Sequence, residues 1–166
     1  MNNAQKKMPN SDNTGERKAN AIDLPTARHM LPLVRSIVRD IVTTRTQMAA
    51  LTREQEFLDQ ERRHLSWESR HRRYSLTDER NQVEQRYASA VGELTQLGVA
   101  LIDPEQGRVD FPTRINGRAA AFTWEVGDDG VGYWRYAEEE QRRPIPSDWK
   151  PGTALRIRPE SAHGGH

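Results

Sequence analysis

The stretch GRVDFPTRINGR, Gly107–Arg118, sets a carboxylate between two apolar residues and closes on an arginine. Asp110 and Arg118 form the sharpest pair of opposite charges here. A carboxylate can hold a base or a hydroxyl and a guanidinium can hold an anion, so the two could clamp a small ligand. The architectural alternative is a salt bridge that fixes the loop, since charge pairs beside turns are usually supports. Aromatic side chains follow: Phe111, Phe122, Trp124, Tyr133, Trp134 and Tyr136. Neighbours on a strand point to opposite faces, so one of Tyr133 and Trp134 must lie outside the core, beside Arg135 or Arg118. The candidate ligand set is therefore Asp110, Arg118, Trp124, Tyr133, Trp134 and Arg135. A small sheet also needs such residues simply for burial, at ~150–250 Å² each.

A second candidate surface is RRHLSWESRHRRY, residues 62–74, where Trp67 and Tyr74 interleave with Arg70, Arg72 and Arg73. Arginines on phosphates and aromatics under bases are how single strands are held. Glu61, Glu68, Asp78 and Glu79 dilute that field, so nucleic acid is not the favoured partner. His64 and His71 are seven residues apart, ~10 Å along a helix, too far to share a metal. Asp103, Glu105, Asp128 and Asp129 are oxygen donors, but Asp-Pro and Asp-Asp-Gly are ordinary turn chemistry. Two histidines at the end, His163 and His166, do not complete a site. No metal site and no cofactor is assigned. The chain has no cysteine, which removes thiolate chemistry, disulfides and zinc ribbons. No Ser-His-Asp set, phosphate loop or H-E-x-x-H motif is present, so no catalytic residue can be named.

Composition agrees with a modest core. Of 166 residues, 34% are hydrophobic and 30% charged, for a formal net charge of +1, and mean hydropathy is -0.93. A compact globule has an apolar share nearer ~45–50%. The mixture suits a long solvated helical hairpin beside a small core better than a deep enzyme fold. The near-neutral balance argues against a general polyanion binder. No apolar run approaches the ~20 residues of a membrane span, and the amino terminus lacks a signal-peptide core. The expectation is a soluble, cytoplasmic chain with no membrane contact.

The elements that must position these residues are legible from periodicity. Residues 1–21 and 159–166 have little to bury and are expected as disordered tails. Asp23 caps a first helix carrying Leu24–Pro25 in its first turn, with a kink or restart expected at Pro32. Leu31, Val34, Val38 and Ile41 form its apolar stripe, extended thinly by Met48, Leu51, Leu58 and Leu65. A second stripe runs Leu76, Val83, Tyr87, Ala90, Leu94, Leu97, with coiled-coil spacing from Val83 onward. Gly98 stops it. The reversal is expected within 64–77, with Ser75 or Thr77 as cap. From Val99 the period becomes two: VALI, RVDFPTRI, RAAAFTWEV and VGYWRY read as an antiparallel meander of about four strands. Asn116–Gly117 and Gly127–Gly130 make its turns. Residues 143–152 read as an irregular wrap, with ALRIR as a short edge strand. The fold class is α+β, with a helical hairpin over 22–97 and an antiparallel sheet over 98–158.

The order IDLPTARHMLPLV, LGVALIDPEQGRVDFPTRINGRAAAFTWEV, YWRY resembles the bacterial family known as domain of unknown function 2203. The resemblance covers residues 22–146. It carries over Asp103, Gly107, Val109, Asp110, Phe111, Pro112, Gly117, Arg118, Trp124, Tyr133 and Trp134. This chain departs where the family commonly shows Cys-Trp, having Thr123–Trp124, and where a histidine follows Tyr-Trp, having Arg135. Near the end it has Arg142–Arg143 in place of Gly-Arg. A mechanism that needed that cysteine or histidine is not open to this protein. The resemblance implies a fold and no reaction. The functional expectation is a non-enzymatic interaction or assembly module, with a protein partner or self-association through the helices. The alternatives are a ligand or enzymatic site around Asp110 and Arg118, and nucleic-acid contact at 62–74.

Overall fold

The computed structural model describes residues 21–149 apart from Arg62. The expected tails (all but Ala21), the edge strand at ALRIR, and His163 and His166 lie outside these residues.

Asp23 sits in extended backbone, and its Oδ1 accepts the Thr26 N–H at 2.8 Å, capping α1 (Leu24–Gln60). Those hydrogen bonds hold the Asp23 carboxyl below its ordinary value. Leu24, Ala27, Leu31, Val34, Val38 and Ile41 are buried, joined by Ile37 and by Thr44, whose hydroxyl donates to the Asp40 and Ile41 carbonyls. Helix α1 runs through Pro32 without restarting. Pro32 is exposed. One missing bond in a 37-residue ladder is outweighed by the apolar stripe on the opposite side.

Residues 61–66 reverse the chain into α2 (Trp67–Gln96). The cap is Ser66, whose Oγ accepts the Ser69 N–H at 3.2 Å, and not the expected Ser75 or Thr77. No glycine or proline stands between Trp67 and Thr77 to halt a helix, and Arg72 ties Ser75 and Glu79 into that first stretch. Helix α2 thereby begins about two and a half to three turns earlier than expected, with the reversal at the early edge of the expected 64–77 range. Gly98, at φ 75, ends α2: its N–H bonds to the Thr95 carbonyl, and the Val99 N–H bonds to the Leu94 carbonyl. This six-to-one and five-to-two pattern with buried Leu94 and Val99 is a Schellman stop.

Five antiparallel strands follow in simple order: β1 (Ala100–Asp103), β2 (Arg108–Ile115), β3 (Arg118–Trp124), β4 (Tyr133–Tyr136) and β5 (Arg143–Pro144). The meander therefore has one strand more than expected. β5 is two residues long, too short to show any period, and lies in the stretch expected as irregular. Asn116 and Gly117 take φ 54 and 76, the type I′ turn that Asn-Gly favours, with Ile115 facing Arg118. Pro112 sits inside β2, paired with Ala121. β1 pairs β2 only as far as Asp110, so the donor Pro112 lacks has no strand to serve there. The Pro112 carbonyl instead accepts the Ile22 N–H at 2.7 Å.

One face of the sheet (Val109, Phe111, Ala120, Phe122, Trp124, Trp134) shares a single buried cluster with the first half of α1 and with Ala90 and Leu94 of α2. Arg35 anchors the β3–β4 loop to α1 through the Asp129 carbonyl at 2.9 Å and lies over Trp124. At Gly107 the β1–β2 turn presses on α1: a Cβ there would lie 2.6 Å from Val126 and 2.8 Å from Val38, at φ +63. Gly107→Ala should cost about 2–5 kcal/mol in urea unfolding, from left-handed strain plus overpacking. Gly117→Ala, at φ +76 with nothing within 4 Å, carries only the strain, about 1–2 kcal/mol.

Candidate functional site

The outer face of the sheet follows from register and alternation. Asp110 faces Thr123 across β2–β3, Thr123 faces Tyr133, and Ala121 faces Arg135 across β3–β4. Asp110 is only 4% exposed and Thr123 is fully buried. The expected partner of Asp110 was Arg118; the register gives it Arg135 instead. The Arg135 side chain crosses β3, where its neighbour is the small Ala121, to reach Asp110 on β2. Its Nη2 and Nε donate to Asp110 Oδ2 at 2.5 and 3.0 Å. Its Nη1 donates to the Glu139 carbonyl at 2.6 Å, pinning the chain after β4.

Both guanidinium bonds fall on one carboxylate oxygen. Among the described residues Asp110 Oδ1 and Thr123 Oγ1 have no hydrogen-bond partner. Burial pushes the Asp110 carboxyl above its ordinary value, against the opposing pull of Arg135 and, more weakly, of the facing Thr123 hydroxyl.

Beside this pair lies a second network. Glu125 accepts from Arg108 Nε at 2.8 Å and pairs with Arg142 Nη1 at 2.6 Å. Arg142 also pairs with Asp128 and lies 4.2 Å over the Tyr133 ring. Arg143 pairs with Glu139.

The six expected ligand residues do not converge. Asp110, Tyr133 and Arg135 share the outer face, whereas Trp124 and Trp134 belong to the buried cluster on the other. Arg118 stands at the hairpin end, paired with Glu138 and lying 3.8 Å over the Tyr136 ring. Thr123, Glu125, Arg108 and Arg142 complete the outer-face networks and were not among the expected ligand residues. Two sequence signals pointed there: both departures from the resembled pattern at Thr123 and Arg135 flank Asp110. As built, every arginine of these networks already holds a carboxylate, and an incoming anion would have to displace one. Among the described residues no group of three or more His, Asp or Glu side chains is placed to hold a metal ion.

The second surface is the far end of the hairpin. Arg72 donates to Glu54 at 2.6 Å and to Glu79 at 2.5 Å, which raises its already high pKa. Arg73 pairs with Asp59 at 2.7 Å. Of the three arginines expected to meet phosphates, only Arg70 makes no side-chain bond among the described residues. Trp67 and Tyr74 are 72% and 79% exposed, and the Trp67 ring packs on His71 with centroids 5.7 Å apart.

A family model described as "Uncharacterized conserved protein (DUF2203)" matches residues 21–145. No curated protein and no solved structure matches the chain. No helix among the described residues is long and apolar enough to cross a membrane.

Removing Arg135 tests the outer-face network. Arg135→Met should destabilise the fold by about 3–5 kcal/mol near neutral pH, because Asp110 is left buried without its counter-charge. With the folded carboxyl above its ordinary value, the native state binds more protons than the unfolded chain between the folded and unfolded midpoints. The contribution of Asp110 is therefore favourable in acid and is lost as pH rises through the folded midpoint. The variant moves that midpoint further up, so its deficit against the native chain should shrink on acidification. Denaturant unfolding at both pH values checks this.

Proposed function

The chain belongs to the DUF2203 family, and from that premise we propose that it is a non-enzymatic interaction or assembly module that works through its helical hairpin. The carrying observation is the exposure of Trp67 and Tyr74 on one side of α2, at 72% and 79%. Large aromatics left in water on a rigid helix are the residue types that dominate protein interfaces. On the sheet, by contrast, Arg108, Arg118, Arg135, Arg142 and Arg143 all hold carboxylates of the chain itself. Between Arg53 and Arg80 the sequence holds seven arginines and seven carboxylates, so the arm lacks the basic excess that draws a polyanion.

Trp67→Ala/Tyr74→Ala removes the aromatics without touching the core. Helicity and melting temperature should stay near native, while association, with itself or with a captured protein, should weaken about ten-fold or more. A native chain that associates with nothing, or a double variant that associates equally well, would end this reading. Binding to single-stranded nucleic acid that Arg70→Ala, Arg72→Ala and Arg73→Ala all weaken, with steep salt dependence, would replace it by the polyanion alternative.

A second reading rests on one observation, the buried Asp110 Oδ1, which has only the facing Thr123 hydroxyl close by and no partner in good hydrogen-bond geometry among the described residues. It proposes a small hydrogen-bond donor bound at the outer face beside Arg135 and Tyr133. A thermal-shift screen of small amines, amides and alcohols should then stabilise the native chain and not Asp110→Asn. Equal shifts in both, or none, would remove it.

A further inference from the structure

The exposed side of α2 carries more than two aromatics. Trp67, Arg70, His71, Tyr74, Asp78 and Asn81 recur at three- and four-residue steps and are all exposed, which makes one continuous stripe. Within it Arg70, Tyr74 and Asp78 form a single row at four-residue spacing, the ridge that helices use when they pack against one another. Among the described residues neither Arg70 nor Asp78 has an ion pair or a side-chain hydrogen bond, whereas Arg72, Arg73 and Glu79 beside them are all engaged.

The row is self-complementary. Arg70 and Asp78 stand four residues to either side of Tyr74, and Trp67 and Asn81 stand seven to either side. Laid against a reversed copy of itself about a two-fold axis at Tyr74, the row brings each Arg70 to the other chain's aspartate and sets the two tyrosine rings together. A two-fold contact uses the same patch on both chains and closes on itself, so it satisfies both unpaired charges at once. The balanced charge of the arm lets two copies approach without repulsion.

The geometry points to a second copy of this chain as the occupant of the α2 stripe, docked antiparallel through Trp67 and Tyr74 with Arg70 and Asp78 exchanged between the two copies. This rests on the reading of the hairpin as an association module and names its partner.

Charge reversal tests the register as well as the contact. By sedimentation over a concentration series, the native chain should self-associate. Arg70→Asp and Asp78→Arg should each weaken association about ten-fold or more, because each places like charges at both contacts. An equimolar mixture of the two variants should associate about as tightly as the native chain, since the mixed pair restores opposite charges at both contacts. Both positions are exposed, and circular dichroism confirms that each variant keeps its helices. A native chain that stays monomeric throughout, single reversals without effect, or a mixture no tighter than its components would overturn the inference. If the native chain is monomeric but Trp67→Ala/Tyr74→Ala still abolishes capture of another protein, the copy-on-copy inference falls and the module reading stands. If both fail, the module reading falls too.

Discussion

The constraint on which the rest depends is where the apolar surface runs out. Phe111, Phe122 and Trp124 on the sheet take up the first half of α1, from Leu24 to Ile41, together with the last turns of α2. Beyond Thr44 the sheet supplies α1 only the exposed Arg45–Glu105 pair from the β1–β2 turn, at 2.6 Å, and the two helices otherwise rest on each other. Leu58, Leu76 and Val83 are the buried apolar residues of that arm, too few to hold roughly four turns of paired helix by burial alone. Polar bridges across the pair fill the shortfall: Arg72 to Glu54, Arg73 to Asp59, Arg80 to Gln55 and Arg86 to Gln47. Each such bridge is weak when exposed, but a row of them fixes the register of the hairpin. The same bridges occupy arginines that would otherwise look like phosphate ligands.

Much of the fold was legible because it rests on local rules. Gly98 stops α2 where the helical stripe ends, and Asn116–Gly117 forms the hairpin turn that its residue types favour, because both need positive φ that few other residues supply. The stripes on α1 and α2 followed from spacing alone. The reversal was harder. Ser66 and Ser75 are chemically equivalent caps, and it is the bridges to α1, Arg72 to Glu54 and Arg73 to Asp59, that hold the stretch before Ser75 against the partner helix. β5 gave no signal, since its two residues are placed by pairing with β4 and by the bond from Ile145 N–H to the Gly132 carbonyl.

The candidate site was legible in its members and not in its geometry. Asp110 drew attention as a charge in an apolar strand, and it is buried there. Its partner was unreadable because Arg135 arrives from two strands away, across Ala121, and no pairing within the β2–β3 hairpin predicts it. Alternation also separated Trp124 and Trp134 from Tyr133 and Arg135. Once β4 is in register, six residues that looked like one set divide among a core, an outer surface and, for Arg118, the hairpin end. Thr123 counted in the sequence only as a missing cysteine. Its meaning appears when it faces Asp110.

Two surfaces thus stand in opposite states of satisfaction. On the sheet, five arginines (Arg108, Arg118, Arg135, Arg142 and Arg143) all hold carboxylates, and four of those cations also lie over or beside aromatic rings or backbone carbonyls. Such a surface resists an incoming anion, which must first displace a carboxylate. Among the described residues it leaves only Asp110 Oδ1, Thr123 Oγ1, Arg142 Nε and Arg143 Nη1 as buried unpartnered side-chain atoms. On α2 the reverse holds: two aromatic rings, one cation and one carboxylate stand in solvent with nothing to exchange. Association at the stripe gains hydrophobic area and two ion pairs while breaking no intramolecular bond. The difference comes from composition along one helix. Arg72 reaches Glu54 on the partner helix and is held by Glu79 from its own. Arg70, Tyr74 and Asp78 lie roughly 100–180° further round the helix and have no such partner among the described residues. A helix that must bind α1 with one side cannot bind it with the other, and that second side is where the chain has unspent binding chemistry.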